Sequence, residues 1–401
     1  MPKYPPPFGM DNVAPSPTGP QDPGRAYAKQ LRWVGEVRFL VFFLAILAYA
    51  LLGMHRWSAS SAQAITSNFY LQILLCWIPL WIVCAVAYLP VSLYRFYLDR
   101  KFQMAKSGLR PWLRDFLKAN ALGFAFGSAI IEIAFASTTL FPSIGWMLAG
   151  VLCSFLLMAV NRSLPWLLSL FYPVLPLSNK PLQEKLTRLA AEARLHVGTI
   201  YEWRISERTR GANALVTGVG SARRILLTDT LITGLSEDEV EAIVAHELGH
   251  CALHHIRARL ILQSLIFGTI FCVINIAVRY DLVAFIDDNR GWHDLMLLPG
   301  FFLYWNCAYI YGNMILGALS RRQEKAADLY SWKLIGRAEP FITAMRKLTA
   351  LNLVVFDKKS EWKYMHPPTG DRIAAAEQYA KEHGETFTLA GVAVTTGSMS
   401  N

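Results

Sequence analysis

The stretch VEAIVAHELGHCALHH, Val240 to His255, contains the pattern His-Glu-x-x-His at His246, Glu247 and His250. Two readings compete: a turn of a metal-binding helix, or a polar face on which two histidines coincide. Three fixed letters recur by accident in a chain of this length about once in a hundred cases, so the surroundings have to decide.

The helix is announced by its own start signal. Ser236 and Glu239 form a capping-box pair, and Val240, Ile243, Val244 and Leu248 give an apolar stripe, so the spacing predicts a helix from about 237 past 250. His246 and His250 then stand one turn apart on one face, as two imidazoles must to share a metal. Glu247 leaves the same turn, where a carboxylate can take a proton from a water whose pKa zinc has lowered. That is the chemistry of metal-assisted peptide hydrolysis.

A zinc site of this type needs a third protein ligand from elsewhere. In SRRQEKAADLY, Ser320 to Tyr330, Glu324 and Asp328 lie four apart on a predicted helix just after the last apolar run. Glu324 can ligate while Asp328 orients a ligand histidine. His254 and His255 extend the histidine stripe, but no carboxylate or cysteine cluster accompanies them, so they read as satisfied or solvent-facing rather than as a second metal site.

Around this centre the 401-residue chain is 54% hydrophobic and only 17% charged, which implies membrane spans plus a folded part, in a membrane enzyme or transporter. The charge of +10 comes from basic residues beside apolar segments, the membrane positive-inside pattern, and gives no nucleic-acid patch. Five of six cysteines lie in apolar runs and the sixth, Cys251, in the histidine-rich stretch; they read as small buried hydrophobes, with neither a disulfide framework nor a cysteine metal site.

Residues 1 to 30 are rich in Pro and Gly, have few large apolar groups and lack a signal-peptide core. Apolar runs follow at 39–54, 69–93, 119–141, 260–278 and 295–319, with a further run at 143–177 interrupted by Asn161, Arg162 and Pro165. That run is one long bent helix or two short ones. The loop from Tyr94 to Lys118 is strongly basic and the one from Asp281 to Asp294 acidic, which favours one helix and places the N-terminus and residues 178–258 in the cytoplasm. Glu132, in mid-span, is expected to pair internally with Arg162.

Between the fourth and fifth spans the pattern becomes that of soluble structure. Leu182, Leu186, Leu189, Ala190 and Ala193 recur at helical spacing, and strand-like runs follow at 199–205, 214–219 and 223–231. The expected fold is a mainly α polytopic membrane protein with about six transmembrane helices and a cytoplasmic α+β zincin-like metallopeptidase domain split around the last two spans. Its parts are a disordered tail (1–35), a four-span transmembrane domain (36–178), the first peptidase half (179–258), a transmembrane hairpin (259–319), the second half (320–386) and a C-terminal tail (387–401).

The segments LPVSLYRFYLDRKF (89–102), FYPVLPLSNKPL (171–182), ISERTRGANALVTGVGSARRILLTDTLI (205–232), LSEDEVEAIVAHELGH (235–250), SRRQEKAAD (320–328) and MHPPTGDRIA (365–374) resemble the type 1 CAAX prenyl protease family of integral-membrane zinc metalloendopeptidases. They resemble the bacterial heat-shock membrane protease more distantly. The resemblance implies one zinc ion per chain held by His246, His250 and Glu324, with Glu247 as general base and Asp328 as a supporting carboxylate. It also implies an oxyanion-side role for His366, a supporting one for Arg372, and an edge strand at Asn213, Ala214 and Leu215 that holds the substrate backbone. Taken alone, Asn213 reads as a turn residue, His366 as a loop cap and Arg372 as a solvated charge.

The chain departs from that family in having six spans rather than seven, a long Pro-rich tail, and Leu215 where an aromatic is usual. The expected activity is hydrolysis of membrane-associated or prenylated CAAX-type proteins in a bacterial inner membrane, the lipid bilayer and a protein or peptide substrate being the partners. The rivals are a broad quality-control protease and a catalytically silent scaffold or transporter with structural zinc.

Overall fold

The computed structural model describes residues 23–218, 223–280, 282, 294–353, 366–385, 387–389 and 392–394. Helices dominate. In the first half they are α1 (Pro23–Leu51), α2 (Met54–Ile65), α3 (Phe69–Lys101), α4 (Leu109–Leu140), α5 (Gly145–Arg162) and α6 (Leu164–Ser169). Strand β1 (Val174–Pro176) and helix α7 (Lys180–Glu192) lead into β2 (Ile200–Trp203), β3 (Ala214–Thr217), β4 (Arg224–Thr228) and α8 (Asp229–Gly234). The rest comprises α9 (Glu237–Ala252), α10 (His255–Arg279), α11 (Leu297–Ile335), α12 (Glu339–Asn352), α13 (Thr369–Glu382) and the hairpin of β5 (Phe387–Leu389) and β6 (Val392–Val394).

Five of the described helices, α1, α3, α4, α5 and α10, are long and apolar enough to cross a membrane. The sixth apolar run forms the first half of α11, where Tyr304, Asn306 and Asn313 dilute its apolar character. Ile73, Trp77, Leu80, Phe135, Phe271 and Phe301 form a core among these helices, and Trp77 stacks on Phe302 with centroids 4.5 Å apart. Ile82, Val86 and Phe155 face outward, as lipid-facing side chains do.

Three expectations need correction. The tail expected to be disordered over 1–35 is helical from Pro23, because Tyr27 is buried and donates a 2.7 Å hydrogen bond to Asp99 Oδ1 near the end of α3; residues 1–22 lie outside the described ones. The run 143–177 is neither one bent helix nor two spans: α5 ends at Arg162, Pro165 restarts the chain as a single turn-and-a-half, and β1 follows. Arg162 is exposed, and no ion pair joins it to Glu132, whose Oε1 is buried without a hydrogen-bond partner among the described residues.

Between and after these strands, helices pack on a four-stranded sheet of order β1-β2-β4-β3. β2 and β4 run parallel, whereas β3 pairs antiparallel with β4 in the register Ala214↔Leu227 and Leu215↔Leu226, leaving its other side as a sheet edge. Leu186, Ile225, Leu227, Val244, Leu248 and Phe341 fill the core between sheet and helices. The strand-like run 223–231 is cut short because Thr228 Oγ1 accepts from Leu231 N at 3.2 Å and so caps α8.

Candidate metal centre

Helix α9 starts at Glu237 with both halves of the capping box made: Glu239 N donates to Ser236 Oγ at 3.3 Å, and Ser236 N donates to Glu239 Oε2 at 2.7 Å. It places His246 and His250 on one face. Helix α11 carries Glu324 and Asp328 on the same 39-residue rod that begins as the sixth apolar run, so the second half of the site is a rigid extension of that helix.

The two helices can meet because Gly249 has no side chain. A Cβ there would lie 3.2 Å from Ala327 Cα and 3.3 Å from Ala327 O. Ser331 Oγ donates to Ala242 O at 2.9 Å and pins the crossing further along.

This approach brings three ligand-type residues together. His246 Nε2 lies 3.2 Å from His250 Nε2, and these nitrogens lie 3.4 and 3.3 Å from Glu324 Oε2 and Oε1. A tetrahedral zinc ion with bonds of about 2.0–2.1 Å to its ligands needs ligand atoms about 3.3–3.4 Å apart, so the triangle has zinc dimensions. Glu324 is 1% exposed, and its Oε2 has no aligned hydrogen-bond donor among the described residues. A buried carboxylate oxygen left so is costly unless a cation completes it. The residues fit a zinc ion.

Around the triangle, Asp328 Oδ1 sits 2.8 Å from His246 Nδ1 and fixes that ring with Nε2 inward. Arg372 grips Asp328 with both arms at 2.6 and 2.8 Å, keeps only 10% of its side chain exposed, and lies over the Phe341 ring at 5.5 Å. Burial lowers the proton affinity of His246, but Asp328 and Glu324 outweigh it and raise its pKa to about 9. Burial likewise pushes Glu324 up, yet the close imidazoles of His246, His250 and His366 hold it well below the ordinary carboxylate range. The pocket favours positive charge.

Glu247 is half-buried on the same turn of α9. His366, largely exposed ahead of α13, brings Nδ1 to 2.9 Å from Glu324 Oε2. Asn213 is exposed beside β3 and exchanges backbone hydrogen bonds with Thr228, through N to Oγ1 at 2.9 Å and O from N at 3.0 Å. Ala214 and Leu215 open the edge strand, and α9 lies against it. Sequence reasoning left out Gly249, Phe341 and Ser331, and set His255 aside; of these only Gly249 carries a local signal, as the small residue inside HELGH.

The two parts of this architecture match two family models end to end. Residues 23–177 match the CAAX prenyl protease N-terminal model, described as five membrane helices, and residues 176–380 match Peptidase family M48. The chain belongs to peptidase family M48. It is thus a multi-pass integral membrane protein and, by family, a metallopeptidase acting on proteins or peptides.

Among relatives, the uncharacterized metalloprotease YhfN of Bacillus subtilis is 33% identical over 215 residues, covering 52% of this chain and 50% of that one, so the alignment spans half the length of that relative. CAAX prenyl protease 1 of Saccharomyces cerevisiae is 26% identical over 318 residues, 73% of this chain and 69% of that one. The crystal structure of S. mikatae Ste24p shares the fold, with a TM-score of 0.76 and 24% identity over 88% of this chain and 87% of that one.

Proposed function

We propose that this protein is an integral-membrane zinc endopeptidase that cleaves prenylated, CAAX-type protein substrates. The observation that carries the zinc reading is the triangle of His246, His250 and Glu324 with edges of 3.2–3.4 Å, beside Glu247 on the same helix. His246, His250 and Glu324 would hold one ion per chain. When bound, the ion supplies Lewis acidity to a water and to the scissile carbonyl.

The chain's own groups do the rest. Glu247 takes the proton of the attacking water and returns it to the leaving amine. His366, at the rim of the triangle beside Glu324, would donate its ring N–H to the oxygen that gains charge. The free edge of β3, with Asn213, Ala214 and Leu215, would hold an extended substrate by backbone pairing beside α9. Asp328 and Arg372 keep His246 in the ligating tautomer.

Packing supports the proposed orientation. The basic loop between α3 and α4 touches the peptidase domain: Ala105 bridges Thr209, Arg210 N donates to Met104 O at 3.1 Å, and Arg208 pairs with Asp115. Tyr27, near the start of α1, bonds Asp99 beside that same loop. The N-terminal end of α1, the basic loop and the peptidase domain therefore share one face, which the positive-inside rule makes cytoplasmic; a bacterial inner membrane is the proposed location.

The prenylated substrate class is supported by the match to the CAAX prenyl protease N-terminal model. The experiment compares purified wild type and Glu247→Gln on a prenylated CAAX peptide, its unprenylated twin and an unfolded membrane protein. Zinc-dependent cleavage of the prenylated peptide alone, absent in Glu247→Gln, is expected. Preferred cleavage of the unfolded protein would assign quality control instead, and equal cleavage by Glu247→Gln would remove the protease reading.

A further inference from the structure

We infer that His255, the first residue of membrane helix α10, is a positioning residue for His250 and so ties the transmembrane hairpin to the metal centre. The inference rests on the proposed zinc reading of that centre.

The chain is bent to make this contact. In an unbroken α-helix a residue five places on points about 140° away from its predecessor, so His255 could not face His250. Instead α9 stops at Ala252, and His254 takes the left-handed conformation at φ +57, which few non-glycine residues adopt. The turn folds α10 back until His255 Nδ1 lies 3.0 Å from His250 Nδ1, with the rings edge to face at 5.1 Å. His255 is 9% exposed, whereas its neighbour His254 faces outward.

The proton inventory gives the contact its direction. His250 Nε2 points into the triangle and must offer its lone pair there, so in the neutral ring Nδ1 carries the hydrogen and needs an acceptor. His255 Nδ1 is that acceptor, in the tautomer that carries its own hydrogen on Nε2. Asp328 does the same for His246.

The His255 backbone is braced in turn by α11. Gln323, the residue before Glu324, donates from Nε2 to His255 O at 3.3 Å, and its Oε1 accepts from Arg259 of α10 at 3.4 Å. The two ligand histidines are thus held differently. One rests on a carboxylate within the peptidase domain, the other on a neutral ring at the mouth of the membrane hairpin, so that a shift of α10 reaches the metal through His250.

The test measures zinc dissociation constants by chelator competition on the full-length detergent-solubilised protein. His255→Leu keeps apolar bulk and deletes the acceptor, while His255→Asn puts Oδ1 where Nδ1 stood. His255→Leu is expected to weaken zinc about 10- to 100-fold without changing the melting temperature of the zinc-free protein, and His255→Asn to recover most of that loss. Unchanged affinity in His255→Leu, equal losses in both variants, or a fall in zinc-free melting with His255→Leu would each overturn the inference. Glu324→Ala is measured alongside. Loss of zinc there together with unchanged affinity in His255→Leu overturns this inference alone; full zinc retention in Glu324→Ala overturns the metal centre and the inference with it.

Discussion

Gly249→Ala probes whether the spacing of two helices sets the metal centre. The added methyl would sit 3.2 Å from Ala327 Cα, 3.3 Å from Ala327 O and 3.2 Å from the ring of Tyr330. Two of these atoms are backbone, so relief requires α11 to move by a few tenths of an ångström relative to α9. That motion carries Glu324, one turn from Ala327, away from His250, the residue next to the mutation. Overpacking of this kind costs about 1–3 kcal/mol, while exchanging glycine for alanine inside a helix returns up to about 1 kcal/mol. Because the clash is with backbone, the net effect should sit near the top of the remaining range, roughly 2 kcal/mol, or about thirtyfold in zinc affinity. Chelator competition reads this directly. Gly268→Ala, whose Cβ meets nothing within 4 Å, is the control and should bind zinc as wild type does. Wild-type zinc affinity in Gly249→Ala would refute the reasoning, since the helix crossing could then no longer be what sets the ligand triangle.

Asp328→Asn leaves Arg372, only 10% of whose side chain is exposed, without its paired carboxylate and His246 without its strong acceptor; a loss of about 3 kcal/mol in stability is expected from thermal or denaturant unfolding, together with weaker zinc binding. Asp238 is held below the ordinary carboxylate range by hydrogen bonds from Lys185 and Arg337, against a smaller opposing effect of burial. Its contribution is therefore present above the unfolded carboxylate value of about 3.9 and lost as pH falls through the lowered folded value. At half exposure the contribution is at most about 1 kcal/mol. Unfolding of Asp238→Asn should differ slightly from wild type at pH 7 and converge with it as pH falls below the lowered folded value. Tyr27→Phe deletes the 2.7 Å bond to Asp99 that anchors α1, and should cost about 1 kcal/mol, read as faster proteolysis before residue 35.

What the sequence discloses depends on how local the cause is. The start of α9 was legible at Ser236 because a capping box is made by residues three apart. Glu324 and Asp328 were legible as a pair at helical spacing, but the last span and their helix read as two elements, since nothing in the letters says that α11 runs unbroken for 39 residues. Tyr27 gave no local signal: it is ordered by Asp99, seventy-two residues away. The turns α6 and α8 and the strand β1 are too short for any periodicity to show. His255 looked like surplus histidine because its partner is reached only through the left-handed turn at His254. Glu132 drew attention as a charge at membrane depth, yet its expected partner Arg162 lies at the exposed end of α5, and helix position alone could not show that.

The central claim is that a zinc ion is held jointly by α9 and α11, the helices on either side of membrane helix α10 in the chain. Zinc content per chain, measured by elemental mass spectrometry on wild type, His246→Ala and Glu324→Ala, tests it most directly. One ion in the wild type and none in either variant is the predicted result; a full ion retained by Glu324→Ala would contradict it.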